Sequence, residues 1–185
     1  MDFDQPPVVR VTGTEPDDWS ASIPAVRQLV RDGLDLGPGV TFMVGENGSG
    51  KSTLVEAIAV AHGLSPEGGT AFGHHRTRET ESSLWQHLTI QRGVGSGRWG
   101  FFLRAETMHG WYSYLADHPG GNPHEPDFHA MSHGESFVAL LQHRFDTAGF
   151  YCLDEPEAAW EDLEVVHHWR TFLDRPDRFL RHLLD

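Results

Sequence analysis

Apolar residues along this chain come in short runs parted by glycine, proline and acidic positions. Residues 1–19 are rich in Pro and Asp, and within them Val8-Val9-Arg10-Val11 reads as a short edge strand. From residue 23 to 44 the apolar positions Ile23, Val26, Leu29, Val30, Leu34, Leu36 and Val40 read as strands, broken at Asp32-Gly33 and at Gly37-Pro38-Gly39. The second break is a hairpin turn into a further strand, Val40-Thr41-Phe42-Met43-Val44. A helical period follows. From residue 51 to about 62, Leu54, Ala57, Ile58 and Ala61 share one face at i, i+3, i+4, i+7, and Gly63 is placed to stop the helix.

Residues 64–82 are polar and Gly-rich, the pattern of an exposed loop. Leu84, Gln86, Leu88 and Ile90 then alternate with period two, a turn runs through residues 93–97, and Trp99-Gly100-Phe101-Phe102-Leu103 is strand-like, so a hairpin is predicted. A short helix over 107–115 and a loop over 117–127 come next. Ser132 with Glu135 three residues on forms a capping box for a helix from about 133 to 145, carrying Phe137-Val138-Ala139-Leu140-Leu141. The buried strand at 149–153 ends in two acids, Asp154 and Glu155, and Pro156 stops it. In the tail, Val165, Val166, Trp169, Phe172 and Leu173 fall at helical spacing, and Pro176 opens a second helix with Phe179, Leu180, Leu183 and Leu184 inward. No internal repeat is present in the sequence.

The strongest chemical signal lies between the strand at 40–44 and the helix that follows. Gly45-Glu46-Asn47-Gly48-Ser49-Gly50-Lys51-Ser52 fits G-x-x-x-x-G-K-[ST] without a mismatch, in the strand, loop, helix context that this phosphate-binding pattern requires. Gly45, Gly48 and Gly50 permit backbone conformations that turn consecutive N–H groups inward around a β-phosphate. The helix starting near Lys51 adds the positive end of its dipole. Lys51 is placed to reach the β- and γ-phosphates and the Ser52 hydroxyl to hold Mg²⁺. Thirteen of the fourteen basic residues are arginine, and Lys51 is the one lysine. A compact ammonium, rather than a planar fork, stands where a point charge is needed.

Composition narrows the partners. A chain of 185 residues suits one well-buried domain, and 38% hydrophobic with 22% charged residues are values of a soluble globular protein. No apolar run is long enough to span a bilayer and the acidic start is unlike a signal peptide, so a cytoplasmic location is expected. The formal net charge of −13 speaks against a broad nucleic-acid surface. Cys152, the single cysteine, excludes an internal disulfide framework and reads as a small core residue. The 13 histidines show no metal-ligand spacing and read as surface residues.

Two acids at the end of an apolar strand complete a reaction site in principle. Asp154 is where a carboxylate would steady Mg²⁺, and Glu155 beside it could orient and deprotonate an attacking water.

Residues 45–53, Gly-Glu-Asn-Gly-Ser-Gly-Lys-Ser-Thr, with Met131-Ser132-His133-Gly134-Glu135-Ser136 and Leu153-Asp154-Glu155-Pro156-Glu157-Ala158-Ala159, resemble the Walker A, signature and Walker B segments of small stand-alone ABC-type ATPases. These are often labelled AAA-family ATPases and are similar to the cassette heads of DNA-repair and chromosome-organising proteins. The resemblance covers most of 20–159 and again 172–184. It implies an α/β P-loop NTPase fold of ABC-cassette type, a mixed sheet with an antiparallel β portion and a small helical subdomain. One domain would span 1–185: strands, loop and first helix over 20–63, a hairpin and helical or loop subdomain over 64–130, the signature helix and Walker B strand over 131–159, and C-terminal helices over 160–185. It further implies ATP and Mg²⁺ as cofactors and a head-to-tail homodimer with ATP sandwiched between subunits. Ser132 and Gly134 would then touch the γ-phosphate held by the other subunit; for Ser132 an N-cap role is compatible. Residues 45–53 would bind the nucleotide, Ser52, Asp154 and Glu106 would attend the metal and its water, and Glu155 would be catalytic.

The chain departs from that family after Glu155. A parallel crossover needs at least about ten to twelve residues besides its next strand, and the segment 156–166 before His167 and His168 is too short for both. The D-loop and switch-histidine segment therefore looks missing, and His167 and His168 read as helix-surface residues. Two functional readings stay open: hydrolysis of ATP to ADP and phosphate, and a non-hydrolysing ATP-binding switch or degenerate remnant.

Overall fold

The computed structural model describes residues 5–37, 39–66, 68–69, 82–94, 97–104, 131, 133–144 and 148–155. In chain order the elements are β1 (Val8–Gly13), α1 (Pro24–Asp32), β2 (Leu34–Asp35), α2 (Lys51–His62), β3 (Leu88–Arg92), β4 (Gly100–Arg104), α3 (His133–Arg144) and β5 (Phe150–Asp154). Short 3₁₀ turns precede α1 at Trp19–Ser22 and β3 at Ser83–His87.

β-branched Val8, Val9, Val11 and Thr12 favour extended backbone in β1. That strand lies at the centre of an antiparallel sheet ordered β2-β1-β3, with Val11 opposite Leu34 on one side and Ile90 on the other. It is not the edge strand that its short apolar run suggested; two partners far along the chain flank it. A second sheet pairs β4 and β5 in parallel, Phe102 opposite Cys152 and Arg104 opposite Asp154. Both of its strands are continuous apolar runs, as expected for parallel strands covered on both faces. Phe101, Phe102, Leu103, Tyr151, Cys152 and Leu153 are all buried. Cys152 is thus the core residue its neighbours predicted.

Helix α2 joins the two sheets, packing against β3, β5 and α1. The expected face holds for Leu54, Ala57 and Ile58, and Val55, Ala59 and His62 are buried as well. One apolar core results, running from Val8 and Val11 through Leu54, Ile58 and Ala59 to Phe102, Phe150 and Cys152. Each such large side chain contributes roughly 1.5–3 kcal/mol when fully buried. Gly63, left-handed, ends the helix as predicted. The helix expected from 133 is α3, and the strand expected at 149–153 is β5.

Further expectations fail. Residues 24–32 form a helix rather than a strand: Pro24 is at its first turn, and buried Val26 and Leu29 stand at i, i+3. Residues 40–44 carry no strand assignment, and Phe42 and Val44 are exposed. β3 and β4 make no hairpin, because they lie in different sheets. Leu64, Ser65, Gly68 and Gly69, read as exposed loop, are buried, and Gly69 exchanges backbone hydrogen bonds with Phe102. Residues 70–81, 105–130 and 156–185, which include the expected helices at 107–115 and in the tail, lie outside the described residues.

Two polar groups support this frame. The Asp18 carboxylate caps the first 3₁₀ turn, accepting from Ser20 N at 2.8 Å and from its hydroxyl, and also accepts from Ser83 N at 2.8 Å and Oγ at 2.7 Å. Those bonds hold its pKa well below the usual carboxylate range, the Ser20 hydroxyl contributing most. His62 is buried, not on the surface as its type suggested, with its ring 4.7 Å from that of Phe150. Burial, with the nearby charges of Arg92 and Arg98, pushes its pKa down to about 3.

Candidate functional site

The loop at 45–52 leads directly into α2. Gly48 and Gly50 take φ of 78° and 93°, backbone that side chains rarely adopt. Gly50 is constrained twice over: a Cβ there would lie 2.1 Å from Ile23 Cγ2, just ahead of α1. The Gly50 carbonyl accepts the first helical bond from Leu54 N at 3.0 Å. Helix α2 therefore begins at Lys51, where its dipole points at the loop.

Lys51 folds back over the loop. Its Nζ donates to the carbonyls of Gly45 and Glu46, both at 2.8 Å, and lies 3.4 Å from Ser49 Oγ. Ser49 N donates to Glu46 O at 3.1 Å, closing the turn. Gly45, Glu46, Asn47 and Gly48 are exposed, and Ser49, Gly50, Lys51, Ser52 and Thr53 are half-buried. An exposed rim over a fixed, cationic base is the form of an anion cradle.

Asp154 ends β5 and is buried, and Glu155 follows, half-buried, with a φ of 50°. A non-glycine residue in that region is held against its preference by the surrounding structure, a feature that gathers at functional sites. Arg104, at the end of β4, pairs with Glu56 of α2, and its Nε is 3.8 Å from Asp154 Oδ2. Glu56, Arg104 and Asp154 thus tie the loop's helix to the strand that carries the acid.

The sequence did not single out Arg104, Glu56 or Ile23. A signal existed for the first: β4 and β5 are both apolar runs that end on a charged residue, and the two charges are opposite in sign. Gly134 falls in α3; Ser132 and Glu106 lie outside the described residues, as do His167 and His168. Among the described residues no cluster of His, Cys, Asp and Glu fits a metal ion, and no helix is long and apolar enough to cross a membrane.

Beside the loop, a cavity of about 320 Å³ opens toward α1, with Lys51, Ser49 and Gly45 in its wall.

A family model described as AAA domain matches residues 25–85, from α1 through the loop and α2. No curated protein and no solved structure matches the chain significantly. The matched family and the α/β architecture, with an antiparallel and a parallel sheet among the described residues, support a P-loop ATPase-like fold and nucleotide binding as the associated function.

Proposed function

We propose that this chain binds Mg-ATP through residues 45–53 and that ATP hydrolysis is the activity of its family. One observation carries the reading. A loop with two left-handed glycines opens α2 at Lys51, and the single lysine of the chain arches over that loop to its carbonyls. In the ATP complex Lys51 exchanges those carbonyls for phosphate oxygens, the loop N–H groups and the α2 dipole face the β-phosphate, and Ser52 ligates Mg²⁺.

The acids complete the site. Asp154 steadies Mg²⁺ opposite Ser52, and Glu155 takes a proton from the attacking water. Glu106 attends the metal and its water. In a head-to-tail homodimer, Ser132 and Gly134 bring the start of α3 to the γ-phosphate of the neighbouring subunit. The fold is then that of an ABC-type cassette, related to the heads of chromosome-organising ATPases.

A second reading has its own support. Only residues 156–166 separate Glu155 from His167, too few for a crossover and a further strand. Without that segment the chain binds ATP as a switch and does not turn it over. Phosphate release separates the two: the enzyme reading expects release by the wild type and its loss in Glu155→Gln, while equal release from both leaves the switch.

A further inference from the structure

The end of α2 remote from the loop gathers basic groups around His62. That residue closes the helix, and its carbonyl accepts from Arg92 Nη2 at 2.6 Å. Its ring lies 4.7 Å from that of Phe150, whose N–H donates to Trp99 O at 3.0 Å, and Arg98 directly precedes that tryptophan. His62 is 4% exposed, Arg92 half-buried and Arg98 exposed, so the three basic side chains run from core to surface. Three of their nitrogens, His62 Nδ1 and Nε2 and Arg92 Nη1, are buried with no hydrogen-bond partner among the described residues. Native proteins leave few such atoms unmatched, and an ion or water that belongs at the place is one of the few explanations. In a chain of formal net charge −13, none of the ion pairs among the described residues brings a carboxylate to any of the three. Burial and then the charge of Arg98 lower the pKa of Arg92, as burial and both arginines lower that of His62.

We propose that His62, Arg92 and Arg98 form a binding site for a small oxyanion of the phosphate class, separate from the loop at Lys51. At a rise of about 1.5 Å per residue, His62 stands roughly 16 Å along α2 from Lys51, so one phosphate cannot touch both. The two guanidinium groups supply charged donors of the kind that suits phosphate oxygens, and the neutral His62 ring supplies one N–H. Two arginines repel a cation. Arg98 and the exposed positions 94 and 97 form the entrance, where a Cβ on Gly97 would meet nothing nearer than 3.9 Å. Below it, Arg92 turns Nη1 to the entering anion while Nη2 keeps the His62 carbonyl. The innermost donors lie beneath the surface, which admits a single small anion and not a polymer of phosphates. The bound anion offsets a cost that the empty site carries, buried positive charge and polar nitrogens without partners.

Inorganic phosphate titrated into the full chain, with chloride at matched ionic strength as the control and urea unfolding as the readout, tests this. The measurements are made on Lys51→Ala, which removes the charged contact of the loop. Phosphate should stabilise this protein beyond the chloride control. Adding Arg98→Ala, at an exposed position that leaves the fold intact, should lower the apparent phosphate affinity at least about tenfold, and Arg92→Gln should do the same. His62→Phe, which keeps a ring against Phe150, should also weaken it. Absence of phosphate stabilisation in Lys51→Ala would overturn the proposal. So would stabilisation of equal size in all these variants, which is the general effect of an excluded salt. Neither result bears on ATP binding at the loop, which is measured separately.

Discussion

Arg104 stands opposite Asp154 in the parallel register of β4 and β5, its Nε 3.8 Å from the Asp154 carboxylate, while its Nη1 donates to Glu56 on α2. All three side chains are largely withdrawn from water. Removing one member of such a set leaves a charge without its partner in a region of low dielectric. Arg104→Met should therefore destabilise the fold by about 3 kcal/mol, lowering the thermal midpoint by roughly 5–10 °C for a chain of this size. Thermal unfolding followed by circular dichroism checks it. A midpoint within a degree of wild type would show that the three charges are not coupled to the fold.

Gly50 and Ile23 make a second coupled pair. A Cβ at Gly50 meets both a left-handed φ and the Ile23 side chain at 2.1 Å. Left-handed backbone costs a non-glycine residue roughly 1–2 kcal/mol, and overpacking adds roughly 1–3 kcal/mol. Gly50→Ala should thus cost about 2–5 kcal/mol, and Ile23→Ala in the same chain should recover only the packing part. A double-mutant cycle by urea unfolding measures the coupling, expected at about 1 kcal/mol or more. Strict additivity would break the claimed contact.

The helix that includes Ile23 at its cap also shows why part of the fold was illegible in the sequence. Pro24, Val26 and Leu29 carried the helical signal, but a two-residue β2 and the apolar run at 40–44 flank them, and a mixed stretch reads equally as strands. The false hairpin has another cause. β3 and β4 are adjacent in sequence, yet β3 finds β1 and β4 finds β5, and pairing of that kind is fixed by tertiary packing that local periodicity does not record. By contrast α2, its stop at Gly63, and β5 were legible because their signals are local: a face at helical spacing, a left-handed glycine, an apolar run ended by acids. The candidate site divides in the same way. Its loop is a contiguous motif, whereas Arg104 and Glu56 meet it only through the fold.

His62 gives the chain an acid sensitivity of defined sign. Its folded pKa, about 3, lies below the 6.5 of an unperturbed histidine. Between these values the unfolded chain binds the proton and the folded chain does not, so stability falls as pH drops from 6.5 toward 3. The loss should be roughly 1–2 kcal/mol between pH 7 and pH 5. Among the described residues neither buried ring nitrogen has a hydrogen-bond partner, so His62→Phe beside Phe150 should stabilise the protein and flatten this slope. Urea unfolding at the two pH values decides; a slope unchanged in His62→Phe assigns the effect elsewhere.

Asp18 acts in a lower window. Its folded pKa is depressed below the ordinary 3.8, so its contribution is present above that value and is lost as pH falls below it. Asp18→Ala should cost about 1–2 kcal/mol at neutral pH through loss of the cap, and the difference from wild type should vanish in strong acid. A cost that persists at acid pH would point to packing instead.

Nucleotide binding turns on Lys51 and the loop it closes over. Equilibrium binding of ATP in the presence of Mg²⁺, measured by calorimetry for the wild type and for Lys51→Ala of equal helical content, tests it most directly. A point charge on the β- and γ-phosphates predicts at least about a tenfold loss of affinity in Lys51→Ala. Equal affinities in the two proteins would contradict the claim that the nucleotide's phosphates dock on this loop.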